Sequence, residues 1–540
     1  MKTRLLILAA LATVFSSCEK FLDTTPTSFT TPGNFYTNEV QLQTALNGVY
    51  DVLTTESFLY GPFGTNLALK FGFTTDEGFS PQYVEMLFNF DASSAAVAGT
   101  WKGLYTGIGR ANLLLSKIDD VNMDEKKKNI IKGQALFLRG YYYYLLAVCY
   151  GDVPLVLSPA TSINGDLSVA RTPVKEIYSQ VLQDMNAAEV LLKNAGFTSK
   201  SLGYAEKVTV DAVWGILARV SLTMASPGVS GKPIDASKYA DVVMWADKLL
   251  SSADHALNPS YKQVFINMLQ DKYDVKESIW EAGLYGNTST EGSNYVFYTA
   301  IRNSPGGAQG TATVTRKLFS SYAVWDSVRC NWNCANFFYT STPTSFSPPT
   351  TTITNAWNYQ VGKWRRIYES SFTGTGGVGQ SSYNATNMPL LRLADVYLMK
   401  AEALNEMDKP AAEVCEAINP VRRRAFKIPT NQVNATCDVP LTLNKEQLRQ
   451  EIRAERMREL CFEGIRKWDQ VRWGTYYKDL VDIGVAASDP VTGIPSTGTF
   501  GNQRARLLAA CSAVSPKHFL LPIPTIEMQL NTKLTQNPGW

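Results

Sequence analysis

The stretch KKKNIIKGQALFLRGYYYYLLAVCY, Lys126–Tyr150, decides the fold. Apolar or small residues recur at Ile131, Ala135, Leu138, Tyr142, Leu145 and Cys149, in alternating steps of four and three. Steps of that size keep side chains on one side of an α-helix, whose repeat is about 3.6 residues. A second row, Ile130, Phe137, Tyr141, Tyr144 and Val148, widens the apolar face until much of the helix surface must be buried. Gly151 stops the helix, and Pro154 starts an extended segment.

Similar patterns continue on both sides. Thr172-Pro173 reads as N-cap and first helical residue, with Glu176 completing a capping box. Val174, Ile177, Val181, Met185, Ala188 and Leu192 then line one face. A further helix covers Thr209 to Ser226 and stops at Pro227-Gly228, and a partner begins near Asp235. Helical period resumes at Leu390, Leu393, Tyr397, Ala401 and Leu404, followed by a tight turn at Asp408-Lys409-Pro410. Lys445 to Arg466 is helical again, with Leu448, Ile452 and Leu460 spaced for burial. Antiparallel helix pairs joined by short turns predict a scaffold of stacked helical hairpins. The tetratricopeptide consensus itself is not legible.

The texture changes after about residue 258. Residues 283–385 are rich in Gly, Ser, Thr, Asn and aromatics, with short strand-like pieces and no long helical period. The expected architecture is therefore mostly α, with helices over 34–258 and 389–540 and a loop- and strand-rich insertion over about 259–388. Insertions of this kind commonly carry binding function. Sugars present apolar C–H faces rimmed by hydroxyls, so proteins hold them by stacking aromatics beside Asn, Gln, Arg and Asp. The insertion places both kinds together, and the expected ligand-binding residues there are Tyr285, Tyr295, Tyr298, Arg302 and Trp332. An earlier loop adds Phe79, Gln82 and Tyr83. Trp280, in the apolar Ser-Ile-Trp-Glu-Ala, reads as core.

At the N-terminus, Lys2 and Arg4 precede an apolar run, Leu5 to Val14, of about ten residues, too short to span a bilayer. The run ends in Phe15-Ser16-Ser17-Cys18, small residues directly before a cysteine, which resembles a bacterial lipobox. Residues 1–17 are thus expected to be a lipoprotein signal peptide and Cys18 the lipid attachment site, with a single unit over 18–540. Of the seven other cysteines, Cys330 and Cys334 lie near enough to bridge locally, and Cys415 with Cys437 is a weaker pair. Cys149 falls in the apolar stripe and reads as a small buried hydrophobe.

Most chemistries fail on inspection. The chain has only His255 and His518 and no Cys-x-x-Cys, so no metal site is expected. Asp120-x-Asn122-x-Asp124 starts like a calcium loop, but Glu125 replaces the required glycine and Ile131 the bidentate glutamate. Gly374-Thr-Gly-Gly-Val-Gly379 spells a dinucleotide fingerprint without the flanking strand and helix. Asp76-Glu77, Glu455, Glu459 and Glu463 could serve a glycosidase. The last three interleave with Arg453, Arg456, Arg458 and Arg466 at helical spacing, which is more simply an ion-pair network. Net charge is +3, and about +1 once Lys2 and Arg4 are removed, with no basic block, so no nucleic-acid partner is expected. Neither a cofactor nor a catalytic residue is expected.

Cys18-Glu-Lys-Phe-Leu-Asp, Asn34-Phe-Tyr-Thr-Asn-Glu and Trp101-Lys-Gly-Leu-Tyr-Thr-Gly-Ile-Gly-Arg-Ala-Asn resemble segments of the SusD/RagB family of outer-membrane nutrient-binding lipoproteins. So do Ala135-Leu-Phe-Leu-Arg-Gly-Tyr-Tyr-Tyr-Tyr-Leu with Tyr150-Gly-Asp-Val-Pro-Leu-Val, and Leu391-Arg-Leu-Ala-Asp-Val-Tyr-Leu-Met-Lys-Ala-Glu-Ala. The stretch Glu455 to Gly474 and the chain end, Pro522-Ile-Pro and Gln536-Asn-Pro-Gly-Trp540, complete the order. Gly140 departs from the family's usual alanine, at up to about 1 kcal/mol of helix propensity. Pro420 implies a kink or a late helix start. The resemblance implies four tetratricopeptide-like units packed against an irregular ligand-binding region. It also implies a non-catalytic surface glycan-binding protein that delivers oligosaccharide to a SusC-like TonB-dependent transporter, anchored to the outer membrane by lipid and facing outward. A peptide ligand, and a surface glycosidase, are the competing readings.

Overall fold

The computed structural model describes residues 35–54, 67–159, 168–285, 292–340, 350–369, 382–495 and 499–540. Cys18 and the Gly374–Gly379 loop lie outside them. Among the described residues no helix is long and apolar enough to cross a membrane.

The molecule is mostly helical. Helix α1 (Glu39–Tyr50) and α2 (Ala95–Lys117) pack on α3 (Glu125–Tyr150). Helix α3 contains the deciding stretch, capped by the Asp124 carboxylate on Lys127 N at 2.9 Å and closed by Gly151 at φ 73°. Both apolar rows are covered: Tyr141, Tyr142, Tyr143 and Tyr144 are all buried. Helix α4 (Val174–Asn194) lies against α3. Glycine makes that approach possible, because a Cβ at Gly133 would come within 2.9 Å of Leu192 and one at Gly140 within 3.3 Å of Asp184. Gly140 thus trades helix propensity for close packing. Arg139 beside it forks onto Asp184, with both bonds at 2.7 Å.

The capping box expected at Thr172 does not form. Thr172 is held extended by an antiparallel bridge to Val153, and the Asp152 carboxylate, carried in by that bridge, accepts from Val174 N at 2.7 Å. The cap is therefore supplied from a residue 22 positions away.

Helix α5 (Val210–Ala225) pairs with α6 (Lys238–Leu250), whose other neighbour is α7 (Leu393–Glu406). The helical stack therefore resumes where it left off, across the insertion. Helix α7 turns at Asp408 (φ 57°) into α8 (Ala411–Ala425), which runs through Pro420 without stopping. Helix α9 (Lys445–Leu460) carries an Asn444–Gln447 capping box. It ends six residues before the expected Arg466, and α10 (Arg466–Arg472) begins afresh. The break places Phe462 and Gly464 at positive φ and frees the Phe462 backbone. Its N–H donates to Glu77 Oε1 at 2.8 Å, and its carbonyl accepts from Tyr295 Oη at 2.9 Å and Trp364 Nε1 at 3.0 Å.

Short strands run in chain order: β1 (Gly78–Phe79), β2 (Ser278–Ala282), β3 (Thr313–Val314), β4 (Cys334–Ala335), β5 (Phe337–Tyr339), β6 (Thr350–Thr352), β7 (Gln360–Val361) and β8 (Met388–Arg392). One sheet has the order β1-β3-β7-β4, and β5 pairs with β6. Strands β2 and β8 form a separate antiparallel ribbon, from Ser278 opposite Arg392 to Ala282 opposite Met388. The chain thus leaves the scaffold and returns to it side by side. Trp280, in β2, is fully buried, as its setting predicts.

All seven described cysteines are free thiols. Cys330, in the helix Ser327–Asn333, and Cys334, the residue that follows that helix and opens β4, are close but unbridged. Cys415 and Cys437 are buried and unbridged, and Cys149 is buried in the core.

Candidate functional site: an aromatic surface built from two loops

Strand β1 pairs with β3, Gly78 opposite Val314 and Phe79 opposite Thr313, and so carries the 80–83 loop to the insertion. Ser80 Oγ donates to Thr311 Oγ1 at 3.3 Å, and Gln82 N donates to Ser80 Oγ at 3.4 Å. Thr311 in turn donates through N (3.1 Å) and Oγ1 (3.2 Å) to the carbonyl of Tyr298. This chain of bonds ties Gln82 and Tyr83 to Tyr298, more than 200 residues away in sequence.

The rings meet accordingly. Tyr83 and Tyr298 stand edge to face with centroids 5.5 Å apart, and Phe297 flanks Tyr298 at 5.2 Å. All three are half-buried. Lys70 Nζ sits 4.7 Å from the Tyr83 ring centroid and pairs with Glu85 at 3.4 Å. Burial, and then a hydrogen bond with Tyr298, push the Tyr83 phenol above its ordinary value, so it stays a neutral donor and acceptor. Tyr383 lies near enough to add to that shift.

The helix Tyr295–Thr299 explains which tyrosine is available. Tyr295, Val296 and Thr299 point inward, whereas Phe297 and Tyr298 point out. Tyr295 is fully buried, with its hydroxyl on Phe462 O. An exposed stacking role for Tyr295 is therefore corrected. Two further residues need the same correction. Phe79 is 2% exposed and packs in a core with Trp357 and Tyr476. Trp332 is equally buried, with Arg365 4.5 Å over its ring and Tyr368 5.8 Å away. Tyr285 is 88% exposed but makes no ring contact among the described residues. Gln82 and Arg302 are exposed, and the Arg302 guanidinium lies 4.0 Å from the Phe338 centroid. Phe297 and Phe338 were not singled out from the sequence; the adjacency of Phe297 to Tyr298 and the place of both in the aromatic-rich insertion were the available signals.

The carboxylates that could have served hydrolysis sit elsewhere, in a buried ion network. Glu459 accepts from Arg424 (2.5 Å), Arg329 (3.0 Å) and Arg392 (3.2 Å). Glu455 accepts from Arg329 (2.6 Å) and Arg458 (2.7 Å), and Glu463 from Arg392 and Lys363, both at 2.7 Å. Burial alone would raise Glu455, but Arg329, Arg458 and Arg422 together hold it well below the usual carboxylate range. Asp76 is held low in the same way by Arg466 and Lys317. Beside it, burial pushes Glu77 up to about 8. The glutamates thus do sit in an ion-pair network, but of the pairs that helical spacing predicts only Arg458–Glu455 forms among the described residues. The other partners, Arg329, Arg392, Arg422, Arg424 and Lys363, come from distant segments, while Arg456 turns to Asp395 and Asp469 and Arg466 to Asp76. No group of three or more His, Cys, Asp and Glu that could hold a metal occurs among the described residues.

Comparison with known proteins identifies this architecture. The SusD family model matches residues 329–540, and the related model described as starch-binding associating with outer membrane matches residues 20–222. The chain belongs to the SusD/RagB family. Similar proteins span its whole length. SusD-like protein P2 of Formosa agariphila is 26% identical over 537 residues, covering 96% of each chain. A SusD homolog from Bacteroides thetaiotaomicron superposes with a TM-score of 0.82 at 26% identity, covering 94% of this chain and 98% of that one. A laminarin-binding SusD-like protein shares the fold, with a TM-score of 0.67 at 22% identity over 94% of this chain and 100% of the other.

Proposed function

We propose that this chain is a non-catalytic, cell-surface glycan-binding lipoprotein, one unit from Cys18 to Trp540, that captures oligosaccharide and passes it to a SusC-like TonB-dependent transporter. The observation that carries the reading is the half-exposed Tyr83–Tyr298 pair, contributed by two loops that the Ser80–Thr311 contact holds together. Rings fixed at right angles offer a stacking face beside a hydroxyl, which suits the apolar face and the hydroxyl rim of a sugar. Gln82 beside them supplies amide donors and acceptors. Family membership, the starch-binding description and the laminarin-binding relative support a glycan over a peptide. The engagement of Glu455, Glu459 and Glu463 by arginines supports binding without hydrolysis. Association with the outer membrane accords with the family description, and Cys18 would supply the anchor, two acyl chains sufficing for stable attachment.

Calorimetry with laminarin and starch oligosaccharides tests the reading. Tyr298→Ala and Tyr83→Ala are expected to weaken binding at least about tenfold, a loss of about 1.4 kcal/mol, in line with other aromatic contacts. Binding of peptides in place of glycans, or release of reducing sugar from a bound glycan, would overturn it. Cys18→Ala is expected to abolish labelling by palmitate.

A further inference from the structure

Charge is distributed unevenly in the insertion. Between residues 292 and 384 the sequence has seven Lys and Arg against two Asp and Glu. Both acids are consumed locally: Asp326 pairs with Arg329 at 2.5 Å and Glu369 with Arg366 at 2.8 Å. Lys317 and Lys363 reach out to Asp76 and Glu463, each at 2.7 Å. Arg365 spends its donors on the carbonyls of Gly362 and Asn331. Arg302 differs from all of these. It is exposed, and among the described residues it makes no ion pair and no side-chain hydrogen bond.

Its position is nevertheless fixed. Arg302 N donates to Gln360 Oε1 at 3.3 Å, and its carbonyl accepts from Tyr339 N at 3.2 Å. Asn303, at φ 58°, donates from Nδ2 to Tyr339 O at 2.9 Å and from N to Ala308 O at 2.9 Å. Gly310, at φ 55°, closes the loop so tightly that a Cβ there would stand 2.6 Å from Arg302 Cα. The guanidinium lies over Phe338, which shields one flat face from water and leaves the in-plane N–H groups open. Those donors form the fork that matches a carboxylate or a sulfate ester in two parallel bonds. Arg302 is four positions after Tyr298, so their Cα atoms lie within about 14 Å, the reach of a short oligosaccharide. Phe337 and Tyr339 face the other side of β5. There Arg365 and the exposed Lys262, 5.7 Å from the Trp332 ring, add further positive charge.

We infer that the ligand is an acidic oligosaccharide, with a uronate carboxylate or a sulfate ester forked by Arg302 while neighbouring sugar rings occupy the Tyr83–Tyr298 surface. The inference rests on the glycan-binding reading and narrows it to a class. The test is calorimetry with three probes of equal length: oligogalacturonate for the carboxylate, chondroitin sulfate oligosaccharide for the sulfate ester, and laminarin oligosaccharide as the neutral control. At least one acidic probe is expected to bind about tenfold or more tightly than the neutral one, and to weaken as salt is raised from about 0.05 to 0.3 M. Arg302→Gln should weaken that probe at least about tenfold and the neutral probe less than about threefold, with an unchanged melting temperature. Arg302→Lys, which keeps the charge but loses the fork, should fall between the wild type and Arg302→Gln. Preference for one acidic probe names the group recognised. If laminarin binds and neither acidic probe binds better, or if Arg302→Gln leaves acidic binding intact, the inference is wrong and the glycan reading stands. If no probe binds, both fall.

Discussion

Two arginine-rich regions of this molecule use the same side chain to opposite ends. Around Glu459, the guanidinium groups of Arg329, Arg392 and Arg424 are almost wholly buried, and each is matched by carboxylates from segments more than 100 residues apart in sequence. Elsewhere in the insertion, Arg302 stands on a hydrogen-bonded backbone with its guanidinium exposed on one side and over a phenyl ring on the other. Burial decides the difference. A buried charge must be answered within the fold, because its desolvation costs several kcal/mol. An exposed and unanswered one has lost little, and it remains free to answer a charge that arrives from outside.

Perturbing the buried region should have the largest effect. Glu459→Ala leaves three arginines short of a carboxylate and is expected to cost about 3–5 kcal/mol of unfolding free energy by urea titration. A loss below about 1 kcal/mol would mean that the network is ornamental and the contrast with Arg302 empty.

Acid should reach the same region next. Arg456 and Arg219 hold Asp395 down to about 2, and Arg472 holds Glu402 down to about 2, against the burial that would raise both. Folded values below the unfolded ones contribute stability that is complete above about pH 4.5 and lost as pH falls toward 2. The urea midpoint should therefore drop steeply between about pH 4.5 and 2.5, and Asp395→Asn should flatten that limb.

The aromatics supply a sharper form of the comparison. Trp332→Ala empties a buried site and should cost about 3–4 kcal/mol. Tyr298→Ala, at the surface, should cost under about 1 kcal/mol while weakening glycan binding. Equal destabilisation by both would place Tyr298 in the core and remove it from the site. The smallest effect should come from Asp152→Ala, about 1 kcal/mol from the lost cap on α4, read as a lower melting temperature.

These contrasts also mark where the sequence was legible. Helix α3 is observed over Glu125–Tyr150 against an expectation of Lys126–Tyr150, because 25 residues of helical period leave little freedom. The cap on α4 was misread because Val153 holds Thr172 extended, and nothing local announces that bridge. Tyr295 and Tyr298 sit in a helix of five residues, too short for a period to say which faces inward. The fate of Trp332 was set by Arg365 and Tyr368, more than 30 residues downstream. Of the eight residues expected to bind ligand, Tyr83 and Tyr298 meet in the structure, because two aromatic-bearing loops in the least regular segments were the places able to form a surface. Which of their companions are buried depended on contacts that only the folded chain supplies.

The β2–β8 ribbon has a consequence for how such a molecule can change. Its strands fix the start and the finish of the insertion about 4.8 Å apart, and Arg392 at its end is bolted to Glu277, Glu459 and Glu463 of the framework. Between those two clamped ends, surface loops can be lengthened or shortened with only a slow, logarithmic rise in closure entropy, whereas Arg329 and Lys363 are tied to the framework glutamates. The ribbon therefore works as a socket. A binding cassette from a relative, spliced between Ala282 and Met388, would meet the same geometry at both junctions, and it would leave the helical stack as it is only if it brought counterparts of Arg329 and Lys363 to Glu455, Glu459 and Glu463.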